Sequence, residues 1–251
     1  MSGHSKWSTI KHKKAAKDQR RGKEFAKLIR AIEVAARGAG SAEPADSPSL
    51  SLAVQKAKDA DVPKDNIERA CKRGAGVDAD VAAFESAQYE GYGPGGVAVL
   101  VDVLTDNRNR TASDVRQAFT RAGGSLAEPG SVAFLFTRRG YVRLPATPTE
   151  DDVMLVGLDA GMDDLEREDD TYIAWCEPNV AADLRAAFTA ADIAVETSGS
   201  TMVPSSVVPV GETADARRIL ALFDALDDND DVQEVWANAD IADDVLAELD
   251  D

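Results

Sequence analysis

The chain has few of the residues on which most enzyme chemistry depends. It contains two histidines, His4 and His12, and two cysteines, Cys71 and Cys176. No Cys-x-x-Cys or His-Glu-x-x-His spacing is present, so no metal site is predicted. A Gly-x-Ser-x-Gly turn around a serine nucleophile is missing as well. We therefore predict no catalytic residues, no metal, no cofactor and no enzyme activity.

Long apolar runs are also missing. No stretch approaches the roughly 20 apolar residues that cross a bilayer, and the N-terminus lacks the apolar core of a signal peptide. The two cysteines are far apart in a chain without a secretory signal, so we expect free, buried thiols instead of a disulfide. These absences predict a cytoplasmic protein that does not contact membranes.

Positive charge is scarce except at one end. The 251 residues have a net charge of −17, yet residues 1–37 contain eleven basic and three acidic side chains, a net +8. Residues 74–251 carry −25. This asymmetry predicts that the basic end binds a polyanion, because each Lys or Arg placed against a phosphate releases condensed counterions. An acidic body opposes this binding little when it lies beyond the Debye length of about 8 Å.

The sequence leaves open the roles of the basic run, of Trp7 and of two later arginines. A solvated tail would explain the basic run, although Trp7 and Ile10 within it argue against that. Trp7 either stacks on an exposed base or docks on the protein's own helices. Arg108 and Arg110 either pair with neighbouring carboxylates or make a second phosphate contact. The predicted nucleic-acid-binding residues are Lys6, Trp7, Lys11, His12, Lys13, Lys14, Lys17, Arg20, Arg21, Lys23, Lys27, Arg30, Arg108 and Arg110.

Residues 1–75 have helical patterns and no strand signal. Apolar side chains recur at three-and-four spacing over residues 20–37, which predicts an amphipathic helix. Ser47 before Pro48 has the pattern of an N-cap followed by a proline in the first turn. Pro63 is predicted to open a third, short helix.

The rest of the chain alternates strand and helix signals. A glycine-rich turn is predicted over residues 89–96. A structural turn is favoured there over a phosphate loop, because the segment precedes a strand and lacks Gly-Lys-Ser/Thr.

Thr111 is expected to cap the helix that follows the next strand, and a hairpin is expected about residues 138–140. Residues 132–203 read as ββαββαβ, and the flanking strands of 97–122 and 207–237 are predicted to share one sheet.

Ten segments carry a combined pattern, namely Gly3–Trp7, Ile10–Lys14, Arg21–Lys23, Lys27–Arg30, Pro63–Ala70, Tyr89–Val97, Leu104–Thr111, Gly123–Gly124, Gly130–Val132 and Asp227–Trp236. Together they resemble the YebC family of bacterial regulators, which includes the mitochondrial translational activator of cytochrome oxidase subunit one. The resemblance runs nearly from end to end. Where the family usually carries arginines at the start of the second helix, this chain has Pro48-Ser49-Leu50-Ser51.

The resemblance and the element pattern predict an α+β fold, with an N-terminal helical domain followed by two small α+β domains, the third inserted into the second. The predicted boundaries are 1–76 for the basic nucleic-acid-binding domain, 77–131 plus 204–251 for the discontinuous domain, and 132–203 for the insertion.

The predicted function is a non-enzymatic, monomeric nucleic-acid-binding regulator of gene expression, first a DNA-binding transcriptional regulator. One alternative is a ribosome-associated translation factor that binds ribosomal RNA. The other is an acidic adaptor that binds a basic protein.

Overall fold

The structure, a computed structural model, describes residues 17–76 and 84–250, without the side chains of 17–21, 243 and 250. These residues form two compact units, one made of 17–30, 84–137 and 203–250, the other of 31–76 and 138–202. Helices come first, and two four-stranded sheets, a two-stranded sheet and further helices follow, which confirms the predicted α+β class. The three predicted domain boundaries stay a prediction.

Three helices open the described chain, namely α1 (Lys17–Ala39), α2 (Pro48–Asp59) and α3 (Lys64–Gly74). The side chain of Ser47 accepts a hydrogen bond from the backbone N–H of Leu50 at 3.5 Å, so the predicted cap of α2 is confirmed. Within residues 17–76 and 84–250, no helix is both long and apolar enough to cross a membrane.

The first sheet belongs to the first unit and has the strand order β3-β1-β2-β9. Its central strand β2 pairs antiparallel with β1 on one side and with the much later β9 on the other. The segments before and after residues 136–204 therefore share one sheet, which confirms the prediction for the strands at 98–105 and 232–237. The predicted strand near residue 207 is not part of this sheet and pairs instead with residues 239–241, so that part of the prediction was wrong. The strands are β1 (Glu85–Tyr92), β2 (Ala98–Thr105), β3 (Ser125–Leu126) and β9 (Val232–Ala237).

Two helices, α4 (Arg108–Arg121) and α7 (Thr213–Asp227), supply the other half of this core. Every second residue of β2 joins the same buried cluster because side chains alternate across a strand. Phe119 of α4 and Phe223 of α7 are almost completely buried in it. Two short parallel strands, β8 (Val208–Val210) and β10 (Ala239–Ile241), precede a last helix, α8 (Asp243–Asp250).

The predicted glycine-rich turn is shorter than expected. Residues 89–92 belong to β1, and the reversal runs from Gly93, whose N–H donates to the carbonyl of Val97 at 2.8 Å. Gly91 lies within β1. This position requires glycine because a Cβ there would lie 2.5 Å from the ring of Phe119. This glycine therefore serves close packing, and the prediction of a turn beginning at residue 89 was wrong.

The second sheet has the order β5-β6-β4-β7. The hairpin predicted about residues 138–140 is wrong, since one continuous strand runs through them. Gly140 pairs with Cys176, and a Cβ at Gly140 would lie 2.6 Å from the carbonyl oxygen of Glu177. The strands are β4 (Phe136–Pro145), β5 (Met162–Glu168), β6 (Thr171–Cys176) and β7 (Thr197–Pro204).

Helices α5 (Glu150–Asp159) and α6 (Ala181–Ala190) contribute to the core of this sheet through Val153, Leu184 and Phe188. Within the same unit, α6 is also tied to α2. The guanidinium of Arg185 donates to both carboxylate oxygens of Asp59, each at 2.9 Å. A bidentate pair of this kind fixes orientation as well as distance.

A buried carboxylate fixes the loop before β4. Glu90 lies in β1, and its side chain accepts hydrogen bonds from the backbone N–H groups of Gly130, Val132 and Ala133 at 2.6, 2.6 and 2.8 Å. Burial by itself raises the pKa of Glu90, but these N–H groups outweigh it and leave the pKa lowered. The loop therefore depends on the ionised form of Glu90.

We expect Glu90→Gln to lower the free energy of unfolding by about 3 kcal/mol, because the amide would turn a donor toward buried N–H groups. Because the folded pKa is lowered, the contribution of Glu90 is complete above its unfolded pKa and is lost as the pH falls through the folded value. Urea denaturation of Glu90→Gln and of Glu128→Gln, an exposed acid in the same loop, measures the effect. Equal stability of the two variants would contradict this role.

Candidate nucleic-acid interface

The predicted nucleic-acid-binding residues divide according to whether the structure describes their side chains. Lys17, Arg20 and Arg21 lie in the first turns of α1, and their side chains are not described. The side chains of Lys23, Lys27, Arg30, Arg108 and Arg110 are described. The residues outside the described ranges are Lys6, Trp7, Lys11, His12, Lys13 and Lys14.

A basic stripe on α1, formed by Lys23, Lys27 and Arg30, faces acidic residues of its own unit. The three residues are spaced i, i+4 and i+7, which places them on one side of the helix. All three contact residues 227–231, an Asp-Asp-Asn-Asp-Asp sequence between α7 and β9 that we call the acidic loop. The stripe is therefore partly occupied by groups of the protein itself.

The outer part of the stripe makes surface contacts. Nζ of Lys23 lies 3.1 Å from the Asp228 carboxylate, and both side chains are largely exposed. Nζ of Lys27 donates to the carbonyl oxygen of Asp227 at 2.6 Å. An exposed ion pair contributes only about 0–1 kcal/mol. Lys23 can therefore exchange its carboxylate for a phosphate at little cost.

The inner end of the stripe is built differently. Nη1 of Arg30 donates to the Asp231 carboxylate at 3.0 Å and to the carbonyl oxygen of Asp230 at 2.7 Å. Its guanidinium also lies over the Phe84 ring, 4.6 Å from the centroid. The Asp231 side chain is only 7% exposed. Arg30 is thus engaged in a partly buried contact that holds α1 to the first sheet.

Arg110 reaches the same carboxylate from α4. Its Nη2 lies 2.7 Å from Asp231 and 2.8 Å from Asp106. The hydroxyl of Thr111 donates to Asp231 at 2.7 Å. Two of the predicted phosphate-binding arginines, one early and one in the middle of the chain, therefore converge on a single buried aspartate. We call Arg30, Arg110, Thr111 and Asp231 the aspartate cluster.

The cluster keeps Asp231 ionised. Burial raises the pKa of its carboxyl, but hydrogen bonds from Arg110 and Thr111 and the charges of Arg110 and Arg30 outweigh burial, so the pKa is lowered overall. The hydrogen bond with Asp231 in turn raises the pKa of Arg110. For Arg110, the alternative of pairing with carboxylates describes the observed contacts. A phosphate contact from Arg30 or Arg110 stays a prediction.

Arg108 is the most open of the described candidates. Its guanidinium is 3.9 Å from Glu85, a long and exposed pair. Arg108 begins α4 instead of lying in a loop, because the Asn107 side chain caps the helix by accepting from the N–H of Arg110 at 3.1 Å. The expectation that Thr111 is the cap was therefore wrong, since its hydroxyl is buried in the aspartate cluster.

Sequence reasoning missed Asp231, on which the described candidates depend most. The sequence did contain a signal, because Asp231 ends an acidic run and directly precedes the buried strand β9. An acid at the edge of a core needs a partner. Nothing in the sequence identifies that partner, because Arg30 and Asp231 are 201 positions apart.

The two thiols lack the environment of a reactive cysteine. Cys71 and Cys176 are free and buried. Burial raises the pKa of Cys71, and it raises the pKa of Cys176 to about 11. Both are therefore protonated at neutral pH, whereas reactive cysteines need the thiolate. Within the part of the chain that the structure describes, no group of three or more His, Cys, Asp or Glu residues is arranged to hold a metal ion.

The chain matches two family descriptions. Residues 5–77 match the TACO1/YebC protein N-terminal domain, and residues 84–239 match the TACO1/YebC second and third domain. A crystal structure of a conserved hypothetical protein from Aquifex aeolicus has a TM-score of 0.81 and 40% identity. That alignment covers 92% of this chain and 95% of the Aquifex protein.

Curated relatives match over the full length. Proteins from Beutenbergia cavernae and Mycobacterium tuberculosis, each named "Probable transcriptional regulatory protein", are 53% identical, with 100% of both chains covered. A protein of the same name from Salinispora arenicola is 52% identical over 99% of this chain and 100% of its own. These matches, together with the fold, establish that the chain belongs to the TACO1/YebC family.

Proposed function

We propose that the protein is a non-enzymatic regulator of gene expression that binds DNA as a transcriptional regulator. The names of its full-length relatives support a regulatory role. We also propose that residues 1–76 form the nucleic-acid-binding domain, and that the protein acts as a monomer in the cytoplasm without a cofactor.

The observation that carries this proposal is the charge asymmetry, a net +8 in residues 1–37 against −25 in residues 74–251. The contacts of the basic stripe make the proposal more specific. Because Lys27 and Arg30 already bind residues of the acidic loop, we assign most phosphate contacts to Lys23 and to the seven cations that precede it. Those seven are Lys6, Lys11, Lys13, Lys14, Lys17, Arg20 and Arg21.

A second candidate is a ribosome-associated translation factor that binds ribosomal RNA. Lysines and arginines in one run suit phosphate contacts, which position a protein without reading bases. The sequence suggests no recognition helix of a helix-turn-helix and no stacking aromatics on a strand. Backbone and shape recognition of this kind suits structured RNA at least as well as an operator sequence.

One experiment separates these functions. Cells that contain the tagged full-length chain are lysed at low salt and fractionated on a sucrose gradient, and a parallel sample is crosslinked so that bound DNA can be sequenced. Defined promoter fragments are expected for the transcriptional function. Comigration with ribosomes that is lost at high salt would instead support the translational candidate, because phosphate contacts weaken steeply with salt. Recovery of a protein partner without any nucleic acid would contradict both.

A further inference from the structure

Helix α5 of the second unit carries apolar residues on both its inner and its outer side. Its inner residues Val153 and Gly157 are buried, and a Cβ on Gly157 would lie 2.7 Å from Met162 of β5, so the helix sits tightly on the sheet. Its outer side carries Leu155 and Leu158, which are 72% and 55% exposed. A surface helix normally presents polar residues outward. Because the core contact is already complete on the inner side, these leucines are not needed for packing.

The outward leucines form a pair. They are three positions apart, so their side chains are neighbours on the helix surface. Exposed Asp151 and Asp152 lie one turn before them, and exposed Asp159 directly follows them. We call Asp151, Leu155, Leu158 and Asp159 the α5 face. Single exposed leucines are common, but a helix that is apolar on its inner and outer sides is characteristic of an element that a partner covers.

The charge around the α5 face selects the partner. Residues 138–202 contain fourteen acidic and five basic side chains, all arginine, a net charge of −9. Three of the five arginines pair with acids of their own unit, namely Arg139 with Asp163, Arg143 with Glu168, and Arg185 with Asp59. Residues 31–76 of the same unit add seven basic and seven acidic side chains, so the unit keeps its net charge of −9. The exposed Asp151, Asp152 and Asp159 make the α5 face itself negative. They repel nucleic acid and other acidic proteins and attract a cationic surface.

We infer that the α5 face is a docking surface for another protein, which contributes a basic segment with apolar side chains. The apolar side chains cover Leu155 and Leu158, and flanking lysines or arginines lie against Asp151 and Asp159. Apolar burial supplies the affinity of such a contact, and the acidic rim supplies its on-rate and its selection for basic partners. This site differs from the basic end in charge and chemistry, and it does not depend on the nucleic-acid function.

The test uses the full chain and a fluorescein-labelled amphipathic helix made only of lysine and leucine, with binding followed by fluorescence anisotropy. Leu155→Gln/Leu158→Gln is expected to weaken binding by about tenfold or more, since two buried anchors are lost. Val207→Gln, which changes an exposed apolar residue in the first unit, is the matched control and is expected to bind as the wild type does. A peptide of equal charge made of lysine and glutamine is expected to bind more weakly.

A second variant tests the acidic rim. Asp151→Asn/Asp159→Asn leaves the Thr149 cap of α5 intact and is expected to weaken binding at low salt more than at high salt. Circular dichroism and thermal midpoints establish that each variant folds. Affinity for DNA and RNA is expected to be unchanged by the leucine substitutions, so failure here is distinguishable from failure of the proposed function.

Three outcomes would overturn the inference. The leucine variant would bind the peptide as tightly as the wild type, or the lysine–glutamine peptide would bind as well as the lysine–leucine one. Alternatively, sedimentation velocity would find a wild-type dimer that the leucine variant converts to monomer, in which case a second copy of this chain covers the face.

Discussion

Replacing Lys13, Lys14 and Lys17 by glutamate is expected to lower the affinity for duplex DNA and for structured RNA by about two orders of magnitude at physiological salt. Each substitution would remove a proposed phosphate contact and add a charge that repels phosphate. Both ligands are expected to be affected alike, because a contact to phosphate carries no sequence information. Anisotropy titrations of the full-length protein with labelled DNA and RNA give the two affinities.

The control for this variant changes charge equally at another place. Arg116, Arg121 and Arg217 are exposed on α4 and α7, outside residues 1–76, and replacing them by glutamate produces the same net charge as the first variant. If the location of the charge matters, this control is expected to bind within about threefold of the wild type, because its charges are not part of the proposed binding domain and act on phosphate only through screened interactions. Equal losses in the two variants would mean that overall charge, and not the basic end, determines binding.

Asp231→Asn is expected to lower the free energy of unfolding by about 3 kcal/mol, because it leaves the partly buried Arg30 without its counter-charge. The same substitution removes the charge that Arg110 and the hydroxyl of Thr111 face. Urea denaturation of the wild type and the variant measures the difference. Asp228 of the same acidic loop offers a matched control. Asp228→Asn removes an exposed pair with Lys23 and is expected to change the free energy of unfolding by less than about 1 kcal/mol.

The pH dependence of this effect has a definite sign. The pKa of Asp231 is lowered in the folded protein, so its contribution is complete above the unfolded value of about 3.9 and is lost as the pH falls through the folded value. The stability difference between the wild type and Asp231→Asn is therefore expected to be full at neutral pH and to shrink in acid. A difference that stays constant down to strongly acidic pH would contradict an ionised Asp231 as the source.

Local signals made much of the fold predictable. The cap at Ser47 and the helical periodicity of α1 act within a few residues, so the sequence contains all that they need. The charge of the basic end is likewise a property of composition. The local signals predicted the helices and the fold class correctly. The charge of the basic end led to the hypothesis of polyanion binding, which stays a prediction.

Features that depend on distant neighbours were misread. Gly91 and Gly140 resembled turn residues, but each is glycine because another element approaches it closely, namely the Phe119 ring and the backbone of Glu177. Asp231 was missed because its partners come from two other parts of the chain. Sequence spacing cannot reveal which distant cation an acid meets, so it could not separate Arg110, held by Asp231, from the more open Arg108.

The most direct test of the central claim is the salt dependence of nucleic-acid binding by the full-length chain. If about six cations of the basic end meet phosphates, log K should fall against log salt with a slope of about −5 on duplex DNA. The same measurement on the variant with glutamate at Lys13, Lys14 and Lys17 should give a slope smaller in magnitude by about 3. A wild-type affinity that hardly changes with salt would contradict phosphate binding by the basic end.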